Sequence, residues 1–195
     1  MATPVYGTPT NVIVGVAQLF IAPAGTPMIS LGTAQGAPWG SPWVASGFTE
    51  TGVTFNVDVK SNMIMVEEQV TPVAVTVTST DVTIDVTFAE DTLVSMQQAY
   101  GGGVITSKAA DTTSTPTVDA YSTLTLSDSL EQVALGFEAV NAHGLWRRVY
   151  IPSVISGGKV KTDYLRAKSP RTYPATFTAI CDPTLIQIFE ATAAG

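Results

Sequence analysis

A mainly β fold with one short α-helix and long loops is what this sequence predicts, and three features predict it. Apolar and polar residues alternate with period two along much of the chain. Clusters of Gly, Pro, Ser, Thr and Asp separate the alternating runs. One short segment alone carries helical spacing between a cap and a glycine stop.

The alternation is clearest in Val53-Thr54-Phe55-Asn56-Val57-Asp58-Val59-Lys60, where odd positions are apolar and even ones polar. Val73 to Thr78 keeps valine on odd positions, whereas Val82-Thr83-Ile84-Asp85-Val86-Thr87-Phe88 moves the apolar residues to even ones. Ser79-Thr80-Asp81 lies between the two runs and reads as a turn, so the pair predicts a β-hairpin with one dry face and one face of Thr and Asp. Further strands are expected at Val12–Ile21, Met63–Glu68, Ser122–Leu126, Gln132–Val140, Leu145–Ile151 and Thr176–Ile180. Met63-Ile64-Met65-Val66 is apolar on both faces and is expected to be covered on both, within the fold or by a neighbouring copy.

Thr87-Phe88-Ala89-Glu90 fits a capping box, with Thr87 accepting from a backbone N–H and Glu90 reaching back. Leu93, Met96 and Gln97 follow at helical spacing, and Gly101-Gly102-Gly103 ends the helix. Two stretches read as long loops, about 22–47 and 101–120, within a single domain spanning 1–195. The first carries Trp39 and Trp43, which either pack onto their own domain or bury against a partner copy, the second reading being preferred.

Composition points to assembly. Hydrophobic residues make up 45% of the 195 and charged residues only 13%, where about a quarter is usual. A surface so poor in charge suits burial by other copies. Residues 1–140 hold thirteen acids against two bases, Lys60 and Lys108, and residues 141–195 hold seven bases against three acids. Such a split suits a head-to-tail contact between a basic segment and an acidic face; a solvated surface with chance clustering is the plain alternative. Arg147, Arg148, Lys159, Lys161, Arg166, Lys168 and Arg171 supply the basic side, while Glu67 and Glu68 join Trp39 and Trp43 as further inter-subunit candidates.

Little in the chain points to catalysis. The one histidine, His143, sits in Asn141-Ala142-His143-Gly144, which reads as a turn between two strands, and the one cysteine, Cys181, lies in the apolar run Ala175–Cys181. One His and one Cys cannot supply a zinc set, and no phosphate loop, dinucleotide fingerprint or nucleophile elbow occurs. No catalytic residue, metal site or cofactor is expected. The basic run is punctuated by Gly158, Pro170 and Pro174 in a chain with a pI near 4.5, which disfavours polyanion binding. Val12–Ala22 lacks the basic leader of a signal peptide and is too short to span a bilayer, so no membrane role is expected.

The order of elements is nonetheless informative. A long loop, an alternating strand, Val66-Glu67-Glu68-Gln69, a Val/Thr hairpin and Phe88-Ala89-Glu90-Asp91-Thr92-Leu93 before a short helix resemble the major tail tube proteins of long-tailed, non-contractile bacteriophages. Trp146-Arg147-Arg148-Val149-Tyr150-Ile151-Pro152 and Pro174-Ala175-Thr176-Phe177-Thr178-Ala179 are similar to versions from phages of actinobacteria. The resemblance implies a β-sandwich or barrel-like tail tube fold with a flanking helix. It implies hexameric rings stacked into a virion tube, made in the host cytoplasm, with the tape measure protein and other tail proteins as partners. Strands from each copy would line a lumen through which DNA passes without specific binding. Thr54, Asn56, Asp58, Thr76, Thr78, Thr83 and Asp85 are the lumen-facing candidates, with Val53, Phe55, Val57, Val75, Val77, Ile84 and Val86 facing the core. A capsid decoration protein, a tail terminator and a carbohydrate-binding β-sandwich with Trp39, Trp43 and Tyr173 as its platform are the alternatives.

Overall fold

The computed structural model describes residues 17–30, 32–34, 36–65, 67, 71–113, 116–140, 146–162 and 171–190. Its strands are β1 (Ala17–Pro23), β2 (Val44–Ala45), β3 (Thr49–Ile64), β4 (Ala74–Phe88), β5 (Val104–Lys108), β6 (Tyr121–Thr125), β7 (Gln132–Val140), β8 (Trp146–Gly157), β9 (Tyr173–Ala179) and β10 (Gln187–Glu190), with one α-helix among the described residues, α1 (Leu93–Ala99), and a 3-10 turn at Pro183–Leu185. The fold is mainly β, as the alternation predicts. One antiparallel sheet runs β2-β1-β7-β8-β9-β4-β3, with β10 added on β8, and β5 and β6 form a separate two-stranded ribbon.

The sheet has a different environment on each face. Leu19, Ile21, Leu135, Phe137, Val149, Ile151, Phe177, Ile84, Val86 and Phe88 form the inner core. The sheet curls enough for Phe55 of β3 to meet Phe137 of β7, with ring centroids 6.1 Å apart. Each such side chain contributes roughly 1.5–3 kcal/mol on full burial. Phe20, Ala22, Ala134 and Tyr150 point to the other face, where Trp39 and Trp43 of the β1–β2 loop cover them. β7 and β8 are therefore buried on both sides over their middles, which explains their near-continuous apolar sequence.

Buried polar contacts pin that loop. Arg148 is fully buried; its Nε bonds Glu138 Oε2 and its Nη2 donates to Thr33 O at 2.8 Å. Glu138 Oε1 accepts from Gly36 N at 2.7 Å. Tyr150 Oη donates to Thr26 O at 2.7 Å, and Trp43 Nε1 to Pro27 O at 3.2 Å. Trp39 stacks on Phe20 at 4.4 Å and lies against Gly136, where a methyl group would overlap its ring.

Several expectations need correction. Ser79-Thr80-Asp81 is not a turn: β4 runs unbroken through it and pairs throughout with β3, which turns back in 65–73. The parity change comes from a β-bulge, since Lys60 faces Ser79 while Ser61 faces Val77, leaving Thr78 as the extra residue. Met63–Glu68 is not a separate strand; Met63 and Ile64 end β3, Glu67 is in a turn, and Val66 and Glu68 lie outside the described residues. Thr87 belongs to β4 and caps nothing. The helix N-cap is Thr92, whose Oγ1 accepts from Ser95 N at 3.1 Å, while Glu90 accepts from Phe48 N at 3.0 Å. The stretch 101–120 holds β5 in addition to loop, and β2 and β10 also arise where no strand was expected. The expected strand at Val12–Ile21 is described only from Ala17, as β1.

Candidate assembly surface

The β3–β4 hairpin is the longest feature of the sheet and lies at its end. β4 pairs with β9 only over Thr83–Phe88, so Ala74–Val82 has β3 as its sole strand partner among the described residues. The outer edge of β3 pairs with no described strand. Such an edge offers unpaired N–H and C=O groups to another chain.

Register makes the two faces chemically distinct. Val53, Phe55, Val57, Val59, Ser61 and Met63 stand opposite Val86, Ile84, Val82, Thr80, Val77 and Val75 on one face. The bulge at Thr78 is what holds Val75 and Val77 on the same face as Ile84 and Val86. This strip begins inside the core, with Ile84 and Val86 buried, and continues out of it: Val57, Val59, Met63, Val75 and Val77 are 53–67% exposed. Val57, Val75 and Val77 are therefore not core residues in the single chain, contrary to expectation, because no described element lies over that half of the hairpin. Contiguous apolar surface of this kind marks an interaction site.

The opposite face collects most of the predicted polar set. Thr54 pairs with Asp85, Asn56 with Thr83, Asp58 with Asp81, Lys60 with Ser79 and Asn62 with Thr76. Asn56 Nδ2 donates to Asp85 Oδ2 at 2.9 Å, Thr176 Oγ1 to Asp85 Oδ1 at 2.6 Å, and Lys60 Nζ bonds Asp81 at 2.5 Å. Asp81 raises the pKa of Lys60 above its ordinary value. Thr54, Asn56, Asp58, Thr76, Thr83 and Asp85 thus share one face. Thr78 departs from it: as the bulged residue it turns its hydroxyl onto Lys60 O at 3.0 Å.

The inter-subunit candidates scatter. Trp39 and Trp43 are buried in their own chain, which removes the reason for placing them at a partner contact, and Tyr173 is buried as well, so the three form no open glycan platform. Arg148 is internal. Arg147 pairs with Glu190 of β10 at 2.9 Å, and Arg171 with Asp91 at 2.8 Å. These three arginines meet acids of their own chain because folding pairs Arg148 with Glu138 of β7 and brings β10 and the residues before α1 beside Arg147 and Arg171. Lys159 and Lys161 are exposed, Lys159 beside a polar cavity of about 190 Å³ that Thr54, Asp85 and Thr176 also line. Glu67 is exposed in the hairpin turn, while Glu68, Arg166 and Lys168 lie outside the described residues. The Tyr173 hydroxyl, and behind it Arg171, hold the Asp91 carboxyl below its ordinary value.

Sequence reasoning missed the bulge. A signal for it was present: Ser79-Thr80-Asp81 has turn-compatible Ser and Asp but no Gly or Asn, the residues that most readily take the positive φ of a tight hairpin turn. Among the described residues no group of three or more His, Cys, Asp or Glu could hold a metal, and no helix is long and apolar enough to cross a membrane. No protein-family model matches the chain, and no curated protein matches it either.

Proposed function

We propose that this protein is a structural subunit that assembles with copies of itself through the β3–β4 hairpin, and that the assembly is the tail tube of a long-tailed bacteriophage. The observation that carries the self-assembly is the apolar strip that leaves the core at Val57 and runs exposed to Met63 and Val75 at an open sheet edge. A monomer gains nothing from such a strip, and a neighbouring hairpin covers it while pairing the edge. The tube follows from the resemblance of the element order and from the polar, predominantly acidic opposite face. Hairpins joined around a ring put Thr54, Asn56, Asp58, Thr76, Thr83 and Asp85 on a wall that repels phosphate weakly and does not hold DNA.

Negative-stain microscopy of the purified protein tests this, with rings or tubes as the expected result. Replacing Met63, Val75 and Val77 together by Ser should abolish them while the far-ultraviolet spectrum and melting temperature stay near those of the parent, since all three side chains are exposed. A parent protein that stays monomeric in scattering at high concentration would sink the assembly reading.

A further inference from the structure

The exposed apolar strip and the start of β1 lie at the same end of the sheet. Leu19 of β1 stands opposite Phe137 of β7, whose ring meets Phe55 of β3 across the core, and β1 and β3 are themselves in contact. From that level β1 runs back to Ala17 in the direction in which β7 ends and β8 begins. β4 runs back from Thr83 to Ala74 in the same direction. Thr83 is linked through Thr178 of β9 to Ile155 of β8, and both antiparallel pairings carry β4 and β8 towards lower numbers together. The chain before Ala17 therefore meets the sheet at the end where Val57, Val59, Met63, Val75 and Val77 stand open to solvent.

The five residues before Ala17 are Val12-Ile13-Val14-Gly15-Val16, and no Asp, Glu, Lys or Arg precedes Glu50. They lie outside the described residues. Their chemistry suits the strip, being uncharged, rich in β-branched residues and apolar at both parities. Their reach suits it too: five extended residues span about 16 Å, and the six steps from Val57 to Met63 on β3 span roughly 20 Å. Counting from Leu19 and Phe55 in steps of two, Ala17 falls level with Val57, and Ile13 with Ser61, whose partner across the hairpin is Val77. An apolar segment and an apolar strip left apart in water each forgo burial that the other supplies. Because the segment is joined directly to β1, it meets its own strip at a high effective concentration, against which a separate chain has to compete.

We propose that in the free subunit residues 12–16 cover the exposed strip of their own β3–β4 hairpin, and that they have to leave before a neighbouring hairpin docks there. The second half rests on the self-assembly reading above; the first does not. Paired cysteines in the full-length protein test it, with Cys181→Ser removing the native thiol. Ile13→Cys is combined either with Val77→Cys on the strip or with Thr76→Cys, one residue away on the opposite face. Oxidised as a dilute monomer, the first pair should form an intrachain disulfide and the second should stay reduced. Equal bonding in both pairs, bonding only between copies, or none would overturn the inference. Deleting residues 1–16 should lower the concentration needed for assembly about tenfold or more, because nothing then competes for the strip; an unchanged or raised concentration would refute the competition. If the first pair stays reduced while the parent assembles, the cover falls and the hairpin-driven assembly stands. If the disulfide forms and the parent never assembles, the assembly falls and the cover stands.

Discussion

Arg148 is the least solvent-accessible charged side chain described, and Glu138 beside it is almost as buried. Its guanidinium also lies 4.1 Å over the Trp146 ring. Arg148→Met would keep much of the volume but leave the Glu138 carboxylate buried without its counter-charge. The expected loss is about 3–5 kcal/mol, read as a lower urea midpoint, and Glu138→Gln combined with Arg148→Met should recover part of it. Asp91 gives a pH-dependent case. Its folded pKa is lowered from the ordinary 3.8 by the Tyr173 hydroxyl first and Arg171 next. A depressed carboxylate stabilises the fold fully above its unfolded pKa and loses that contribution as pH falls through the folded value. Urea midpoints of the parent should therefore drop from pH 5 towards pH 2 more steeply than those of Asp91→Asn; parallel curves would show that the contact contributes nothing.

At the scale of elements, the hairpin depends on one extra residue. Ala74–Val77 and Asp81–Phe88 have apolar patterns of opposite parity, and only a bulge puts both on one face. Deleting Thr78 should flip Val75 and Val77 to the polar face while leaving Val82–Phe88 in the core. The expected outcome is a folded protein that no longer assembles, checked by circular dichroism and sizing. Normal rings from the deletion variant would show that the strip is not the contact. The helix is a contrasting element: its position between a hairpin and a glycine run was legible, but its first turn was not. The capping-box pattern points to Thr87, but β pairing of Thr87 with Pro174 keeps that residue in β4, and Thr92 caps the helix instead.

Across the whole molecule, at least three of the seven bases of 141–195 are engaged within their own chain. Arg147, Arg148 and Arg171 meet Glu190, Glu138 and Asp91 of the same chain, so reversing Arg171 would disturb the subunit as well as any interface. The polar hairpin face is the better probe of function. Asp85 is engaged by Asn56 and Thr176, which makes Asp58 the cleaner site for substitution. Asp58→Lys should leave the fold intact because the residue is exposed. Under the tail tube proposed above, a phage carrying it would have a ring of added cations in the lumen and should eject DNA more slowly, most at low salt where phosphate contacts are strongest. Ejection kinetics equal to the parent's at every salt concentration, with normal tails, would remove this face from the lumen.

The sequence by itself determined the β class, the strand Gln132–Val140 to the residue, one face of the long hairpin and the single helix, because these follow from local periodicity and turn chemistry. Tertiary structure decided where each face went. The pattern of Trp39 and Trp43 is equally that of a partner contact or a lid. They became a lid because Gly136, far along the chain, leaves room for the Trp39 ring and Arg148 ties down the loop that carries both. Likewise Val57, Val75 and Val77 have the pattern of core residues, yet the core ends before it reaches them. Alternation records which side of a strand is apolar; what covers that side depends on elements distant in sequence, or on another copy of the chain.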